Sequence, residues 1–483
     1  MEAVPKRARA GGGSAPDRLS ALSDELLHLV LSFLPSRQAV QTTVLSKRWI
    51  DLWRSMPAID LNISEFRSTT PGSGYKERWG KMENFTTNLL MRHRTPRLDS
   101  FRLDIGRIYG VDWHRDVDRW IRRAMEYCPV VMDIQLIDAW SVRYQQPKLV
   151  SCHLKRLVLS GVYLEHSFGE QLHSGCPVLE DLTLWGCRGF CGLQCDTLKN
   201  LVVQSCTSGD ADILLIRTPS LASLCLDFPH PYRNGVLLGT EKFLVKASIS
   251  VKPGLLFQRS EAILLGSLFN VTSLELQNVN AMAVLDKEFD KSPAFVNLRT
   301  LSLYWCFDSK RDVNKFKALG RLLQKSPNLE KLTLQNFWYN EEMKVQMTNK
   351  EMLITARPAV GPIEFPMLEN VRTLLLDKCD LRDNFRLLRH FLRSSPNLEK
   401  LTVRLCKLPK VFLRGKGKAK SKKTYCQFQN LVGFKCQKLK STEIIYKNGS
   451  KIQGLVSLFL GISGCAPKNT ITLTKYEDDS DSW

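Results

Sequence analysis

The residue types able to do chemistry in this sequence are few, and their spacing does not favour catalysis. Eight His stand among 483 residues, and none forms the His-Glu-x-x-His pair that holds zinc on a helix or a recognisable nucleophile motif. Gly11 to Gly13 precede no Lys-Ser or Lys-Thr and follow no strand pattern, so they build no phosphate-binding loop. Cys187, Cys191 and Cys195 fall at four-residue intervals, which suggests zinc, yet no second paired cluster or nearby His completes four tetrahedral ligands. Five cysteines obey another rule: Cys187, Cys206, Cys306, Cys379 and Cys406 each stand three residues after the end of a recurring apolar template. A Cys repeated in that way is expected to act as a small buried hydrophobe with a weak donor. No catalytic residue, metal or cofactor is therefore expected, and the Ser, His and Asp residues are read as capping or surface groups.

Composition removes further classes. With 43% hydrophobic and 24% charged residues the chain can bury a sizeable core and should hold more than one structural unit, which excludes wholesale disorder. Its 69 Lys and Arg against 48 Asp and Glu leave a net charge of +21, which first suggests nucleic acid or an acidic protein surface. The charge is unevenly placed. Residues 17–60 carry five basic and five acidic groups, the run from Lys407 to Lys423 holds eight Lys and Arg with no acid, and residues 477–483 hold four acids. The Lys-rich run reads as a solvated, self-repelling loop or as a contact for an acidic partner. Elsewhere the surplus is scattered without interleaved aromatics, so nucleic acid is not the expected partner and a modest bias toward acidic partners remains. Lys6, Arg7 and Arg9 read either as a weak nuclear signal or as a solvated tail. The longest apolar run, Leu455 to Ile462, has eight residues, against about 18 or more for a bilayer span. No secretory signal is read at the N-terminus. A soluble protein of the nucleus or cytoplasm, with reduced thiols, is expected.

The elements that would place these residues fall into two patterns. From Asp17 the period is helical. Ser23 can cap a helix with Asp24 and Glu25 in its first turn, and Leu26, Leu27, Val30, Leu31 and Leu34 read as one apolar face. Pro35 stops this helix. Ser36 can cap the next, in which Val40 and Val44 share a face, and Trp49, Leu52 and Trp53 follow at i, i+3 and i+4. Three short helices with so many large apolar groups cannot hide them all internally, so a partner is expected to cover the excess. The stretch DRLSALSDELLHLVLSFLPSRQAVQTTVLSKRWIDLW resembles an F-box, specifically that of plant F-box proteins with leucine-rich repeats. It departs from the family at Ser23, where Pro is usual; both residues suit a helix start, so a small effect on affinity is expected.

From about Arg97 a template repeats: Leu, two variable residues, an apolar residue, one variable, an apolar residue. It appears as LKRLVL from Leu154, LEDLTL from Leu179, LKNLVV from Leu198, LASLCL from Leu221 and VTSLEL from Val271. LRTLSL from Leu298, LEKLTL from Leu329, VRTLLL from Val371, LEKLTV from Leu398 and LVGFKC from Leu431 continue it, with weaker copies near Leu98, Val131 and Leu244. Most intervals fit the leucine-rich-repeat period of about 20 to 29 residues. The expected fold is therefore α/β: a three-helix F-box at 17–62, a connector at 63–96, and leucine-rich repeats at 97–436 forming a curved parallel sheet with helices and loops on the convex side. Insertions are expected near 338–365 and 407–425, a small α/β cap at 437–476 resembling the FBD region of such proteins, a disordered basic tail at 1–16 and an acidic tail at 477–483.

The resemblance implies a non-catalytic adaptor with two binding ends. It places Leu22, Leu26, Val30, Leu34, Pro35, Val44 and Trp49 at the contact with a Skp-type adaptor, and through it a cullin-RING ubiquitin ligase, while Trp49 and Trp53 can equally be core. The repeats would hold a protein substrate for ubiquitination. A non-degradative repeat scaffold is the alternative that shares this fold.

Overall fold

The computed structural model describes residues 19, 21–66, 74–106, 112–136, 149–207, 213–228, 235–239, 243–251, 258–307, 312–337, 366–382, 385–408, 438–447, 452–463 and 469–476. The basic tail, the 338–365 insertion, most of the Lys-rich run, the repeat copy at Leu431 and the acidic tail lie outside them. The chain divides into two units, Met1–Val158 and Leu159–Trp483.

The first unit opens on α1 (Asp24–Ser32), where the Leu26 N–H donates to Ser23 Oγ at 3.5 Å and Asp24 and Glu25 occupy the first turn. In α2 (Ser36–Gln41) the cap position belongs to Pro35 and not, as expected, to Ser36. Ser36 is buried inside the helix, and its Oγ accepts the N–H of Asp60 at 2.9 Å, so the hydroxyl serves the following strand and leaves the helix start to the preset φ of proline. A 3-10 turn (Thr42–Val44) leads into α3 (Lys47–Ser55), which buries Trp49, Leu52 and Trp53.

Residues 58–62 correct the sequence reading. They form β1 (Ala58–Asn62), not the end of a helical domain, and the supposed connector holds the 18-residue helix α4 (Tyr75–Arg92). Next come β2 (Ser100–Asp104), α5 (His114–Glu126) and β3 (Val131–Gln135). The strands β1, β2 and β3 pair in parallel, Ile59 beside Phe101 and Phe101 beside Met132. Repeats thus begin at β1. Ile59 and Leu61 supply its buried alternation, but the leading Leu of the template is missing, which hid it.

The chain continues through β4 (Arg156–Ser160), α6 (Phe168–Gly175), β5 (Asp181–Trp185), β6 (Gly192–Gln194), β7 (Asn200–Gln204), β8 (Ile213–Arg217), β9 (Ser223–Phe228) and β10 (Gly235–Leu238). Then come β11 (Lys246–Val251), α7 (Gln258–Ser267), β12 (Ser273–Gln277), α8 (Ala281–Val284), α9 (Lys287–Lys291), β13 (Thr300–Tyr304), α10 (Asp312–Gln324) and β14 (Lys331–Gln335). Last are β15 (Thr373–Asp377), α11 (Arg386–Ser394), β16 (Lys400–Arg404), β17 (Ser441–Tyr446), α12 (Gln453–Ser463) and β18 (Thr470–Lys475). In the second unit β5, β7, β9 and β11 to β18 follow one another in a single parallel sheet. The described template copies there each begin two residues before their strand, as Leu179 does before Asp181 and Leu398 before Lys400. This is the leucine-rich-repeat architecture.

Two features add to or correct the sequence reading. First, β10, β8 and β6 form a second parallel sheet in that order, where helices were expected. Copies starting at Leu179, Leu198, Leu221 and Leu244 are 19 to 23 residues apart, too close to return by way of a helix, so a second short strand makes the return. Second, the way the C-terminal strand–helix–strand segment attaches could not be read from the sequence. The strand–helix–strand order is present, and β17 pairs with β16 and β18 with β17, adding two rungs to the same sheet.

Eight turns off the sheet share one construction. The residue after the strand takes a left-handed conformation at Gly161, Gly186, Ser205, Asn278, Trp305, Asn336, Lys378 and Leu405, with φ between 50 and 69°. The following residue is then buried in every case but Cys406, which is half-buried. In four repeats it is a Cys whose Sγ lies against a carbonyl of the preceding rung: Cys187 to Leu159 at 3.4 Å, Cys306 to Leu276 at 3.2 Å, Cys379 to Leu334 at 3.3 Å and Cys406 to Leu376 at 3.4 Å. Burial pushes the Cys306 thiol up to about 12, so it keeps the proton it donates.

A buried carboxyl gives this unit a pH dependence. Glu261 in α7 is buried, its Oε1 accepts the Asn280 N–H at 2.7 Å, and burial raises it from 4.5 to about 7. Because the folded pKa is the higher one, the stabilisation is fully present below about 4.5 and is lost as pH rises through about 7. Glu261→Gln keeps the acceptor without the charge. The variant should therefore be more stable than the parent by about 3 kcal/mol at pH 8 and nearly equal to it at pH 4.5. Urea midpoints at the two pH values check this, and an equal difference at both would contradict it.

Candidate protein-docking surfaces

The helical part of the first unit carries two apolar faces. At roughly 100° per residue, Leu26, Leu29, Val30 and Phe33 fall on one side of α1, and Leu27 and Leu31 on another with Leu34 beside them. The second side is buried against the unit's own core. The first is open to solvent: Leu26, Leu29 and Val30 are exposed and Phe33 is 79% exposed. Val44, at 87%, and Leu45 are exposed in the adjoining turn, as is Leu19 before α1. Both α1 and that turn pack on α3, and Arg48 of α3 ties it to the start of α1, its Nε donating to Asp24 Oδ1 at 2.8 Å and its Nη2 to the Leu22 carbonyl at 2.7 Å.

The residues expected at a partner contact therefore separate. Leu26, Val30 and Val44 are exposed, and Leu22, Leu34 and Pro35 are half-buried. Trp49 is 6% exposed and faces inward with Leu52 and Trp53. It packs in the core of the unit, because a side chain at i with partners at i+3 and i+4 follows their face. Leu19, Leu29, Phe33 and Leu45 are exposed too and were not among the residues expected there. The available signal was a helix apolar on two sides, which needs covering on both.

A family model for the F-box domain matches residues 19–59. The meiotic F-box protein MOF of Oryza sativa subsp. japonica is 33% identical over 350 residues, 66% of this chain and 71% of the relative. An F-box/FBD/LRR-repeat protein of Arabidopsis thaliana is 27% identical over 349 residues, 66% of this chain and 77% of the relative. The chain belongs to the plant F-box/leucine-rich-repeat proteins. An F-box/LRR-repeat protein of Arabidopsis thaliana matches more of the chain, 80%, at 26% identity over 406 residues and 70% of its own length. F-box domains in general bind Skp-type adaptors, and proteins of this family are in general non-catalytic.

In the repeat sheet of this F-box protein most side chains opposite the leucine core are half-buried or buried. One row aligns Tyr304, Gln335, Asp377 and Arg404 on neighbouring strands. Arg404 Nη2 meets Asp377 Oδ2 at 2.5 Å, with the carboxylate 1% and the guanidinium side chain 43% exposed. Asp377 Oδ1 and Arg404 Nε have no hydrogen-bond partner among the described residues. At the strand entries the charges alternate: Arg299 with Glu330 at 3.6 Å, then Glu399 between Arg372 at 2.8 Å and Lys440 at 2.7 Å. Exposed pairs of this sort contribute about 0–1 kcal/mol each, enough to bias register and little more. Asn328, Asn370 and Asn397 donate from just before their strands to carbonyls of the preceding repeat, those of Val296, Pro327 and Glu369 at 2.9, 3.0 and 2.7 Å.

The three closely spaced cysteines do not share a centre. Cys187 meets the Leu159 carbonyl, Cys191 the His166 carbonyl at 3.8 Å and Cys195 the Thr197 hydroxyl at 3.7 Å. Among the described residues no group of three His, Cys, Asp or Glu is placed to hold a metal, and no helix is long and apolar enough to cross a membrane.

Proposed function

We propose that this chain is the substrate receptor of an SCF-type cullin-RING ubiquitin ligase, with the F-box docked on a Skp-type adaptor and the repeat sheet holding a protein substrate. One observation carries the reading: α1 buries one apolar face in its own unit and leaves Leu26, Leu29, Val30 and Phe33 exposed. Complete burial of such a side chain is worth about 1.5–3 kcal/mol, so a folded partner over this face is favoured strongly. The residues in contact are then Leu26, Val30 and Val44, with Leu22, Leu34 and Pro35 at the margin. The receptor does no bond chemistry. It raises the effective concentration of substrate lysines at the charged ubiquitin carrier, as any bivalent tether does.

Expression of the chain in a plant cell, with and without a proteasome inhibitor, tests this. A Skp-type adaptor should co-purify under both conditions, and proteins bound through the repeats should accumulate only under inhibition. Adaptor binding with no inhibition-dependent client would favour a non-degradative scaffold, and failure of the adaptor to bind would remove the proposal.

A further inference from the structure

Apart from the open face of α1, the first unit has a cleft of about 500 Å³ between α4 and the α2–α3 pair. Its floor is Val40, Trp53, Phe66, Phe85 and Leu89, with the rings of Phe66 and Phe85 5.5 Å apart. Every charged residue lining it is cationic: Arg37, Lys81 and Arg92. The contributions of α4 at positions 81, 84, 85, 88, 89 and 92 form one stripe along three turns. The acids nearby are already engaged, Glu77 with Lys81 at 2.7 Å and Glu65 with the Gln38 amide at 3.0 Å. The Arg37 guanidinium lies 5.2 Å over Phe66, and Arg92 has no ion-pair partner among the described residues.

Two properties select the occupant. Lys81, Asn84, Asn88 and Arg92 are exposed, so the cleft is open along its length. A small molecule there would stay largely in water, whereas ligand pockets enclose most of their ligand; a side chain presented by a polypeptide suits an open trough with an aromatic floor. Lys81 and Arg92 are separated by roughly 16 Å along the helix axis, the span of about five residues of extended chain.

We propose that this cleft docks an acidic peptide segment of a partner protein, one aromatic side chain seated on Phe66 and Phe85 and Asp or Glu on either side facing Arg37, Lys81 and Arg92. Charge complementarity carries the assignment, since three cations border an apolar floor with no carboxylate in the lining; the Glu77–Lys81 pair is exposed, weak for that reason, and exchanges readily for a peptide carboxylate. It does not depend on which protein covers α1.

The test uses the full chain and a fluorescein-labelled Glu-Glu-Phe-Glu-Glu peptide, read by fluorescence anisotropy at low salt. Saturable binding is expected, weakened about tenfold or more when the peptide Phe is replaced by Ala or its Glu by Gln. The double variant Lys81→Glu, Arg92→Glu should lose binding with an unchanged melting curve and should instead take the Lys-Lys-Phe-Lys-Lys peptide. Phe85→Ala should weaken binding of both. No saturation at millimolar peptide, or binding indifferent to these cleft substitutions, would overturn the proposal. So would dodecanoate binding that depends on Lys81 and Arg92 while the peptide does not bind, which would assign the cleft to a small anionic amphiphile.

Discussion

Leu26→Asp combined with Phe33→Asp should abolish co-purification with a Skp-type adaptor while the melting temperature of the chain stays within about 2 °C of the parent. Both side chains lie on the open face of α1, so their loss creates no cavity, and two carboxylates there must be desolvated by any partner that covers the face. Losing two apolar anchors and burying unpaired charge should weaken binding about a hundredfold or more. Trp49→Ala supplies the contrast. With only 6% of Trp49 exposed, its removal should cost about 3–5 kcal/mol and lose the adaptor by unfolding the helices. Circular dichroism melts beside pull-downs separate the two cases. A double Asp variant that still binds would place the adaptor elsewhere, and a Trp49→Ala variant with an unchanged melt but no binding would restore Trp49 as a contact.

Arg404→Leu should lower the stability of the repeat unit by about 3 kcal/mol, toward the lower end of the range for breaking a buried ion pair. The deficit comes from what remains. Asp377 is almost wholly buried, and without the guanidinium at 2.5 Å its charge has no counterpart. The exposure of Arg404, 43%, keeps the cost from the upper end, because water reaches the site. Asp377→Leu together with Arg404→Leu should recover most of the loss, since two apolar residues of similar bulk leave no buried charge. Chemical denaturation of the single and double variants measures this; a double variant no more stable than Arg404→Leu would show that packing and not charge sets the cost.

How far the sequence could be read depends on which force fixed each element. Copies such as LEDLTL and LEKLTV carry their own alternation and leading Leu, so each strand follows two residues after the template begins. The Cys column was legible for the same reason, because one position per repeat must enter the core. The first rung, Ala58–Asn62, was missed since a fully buried Met56 stands where the template has its leading Leu. The left-handed turns at Trp305, Lys378 and Leu405 were equally hidden. None is a residue that prefers positive φ; the sheet on one side and the buried residue on the other impose it.

At the docking face the same division holds. Residues 19–45 showed by composition alone that more apolar surface was present than three short helices can bury, and their motif showed the family. Which side chains remain outside was a matter of packing. Leu27 and Leu31 are buried and Leu26 and Phe33 exposed, and Trp49 is drawn inward because α3 must bury its own face. The sequence by itself determined the repeat period, the family and the existence of an uncovered surface, since those follow from local pattern and from the excess of apolar residues. Only the tertiary structure decided where the parallel strands begin, how the C-terminal strands join them and which apolar residues of the first unit stay exposed, because pairing and burial depend on neighbours distant in the chain.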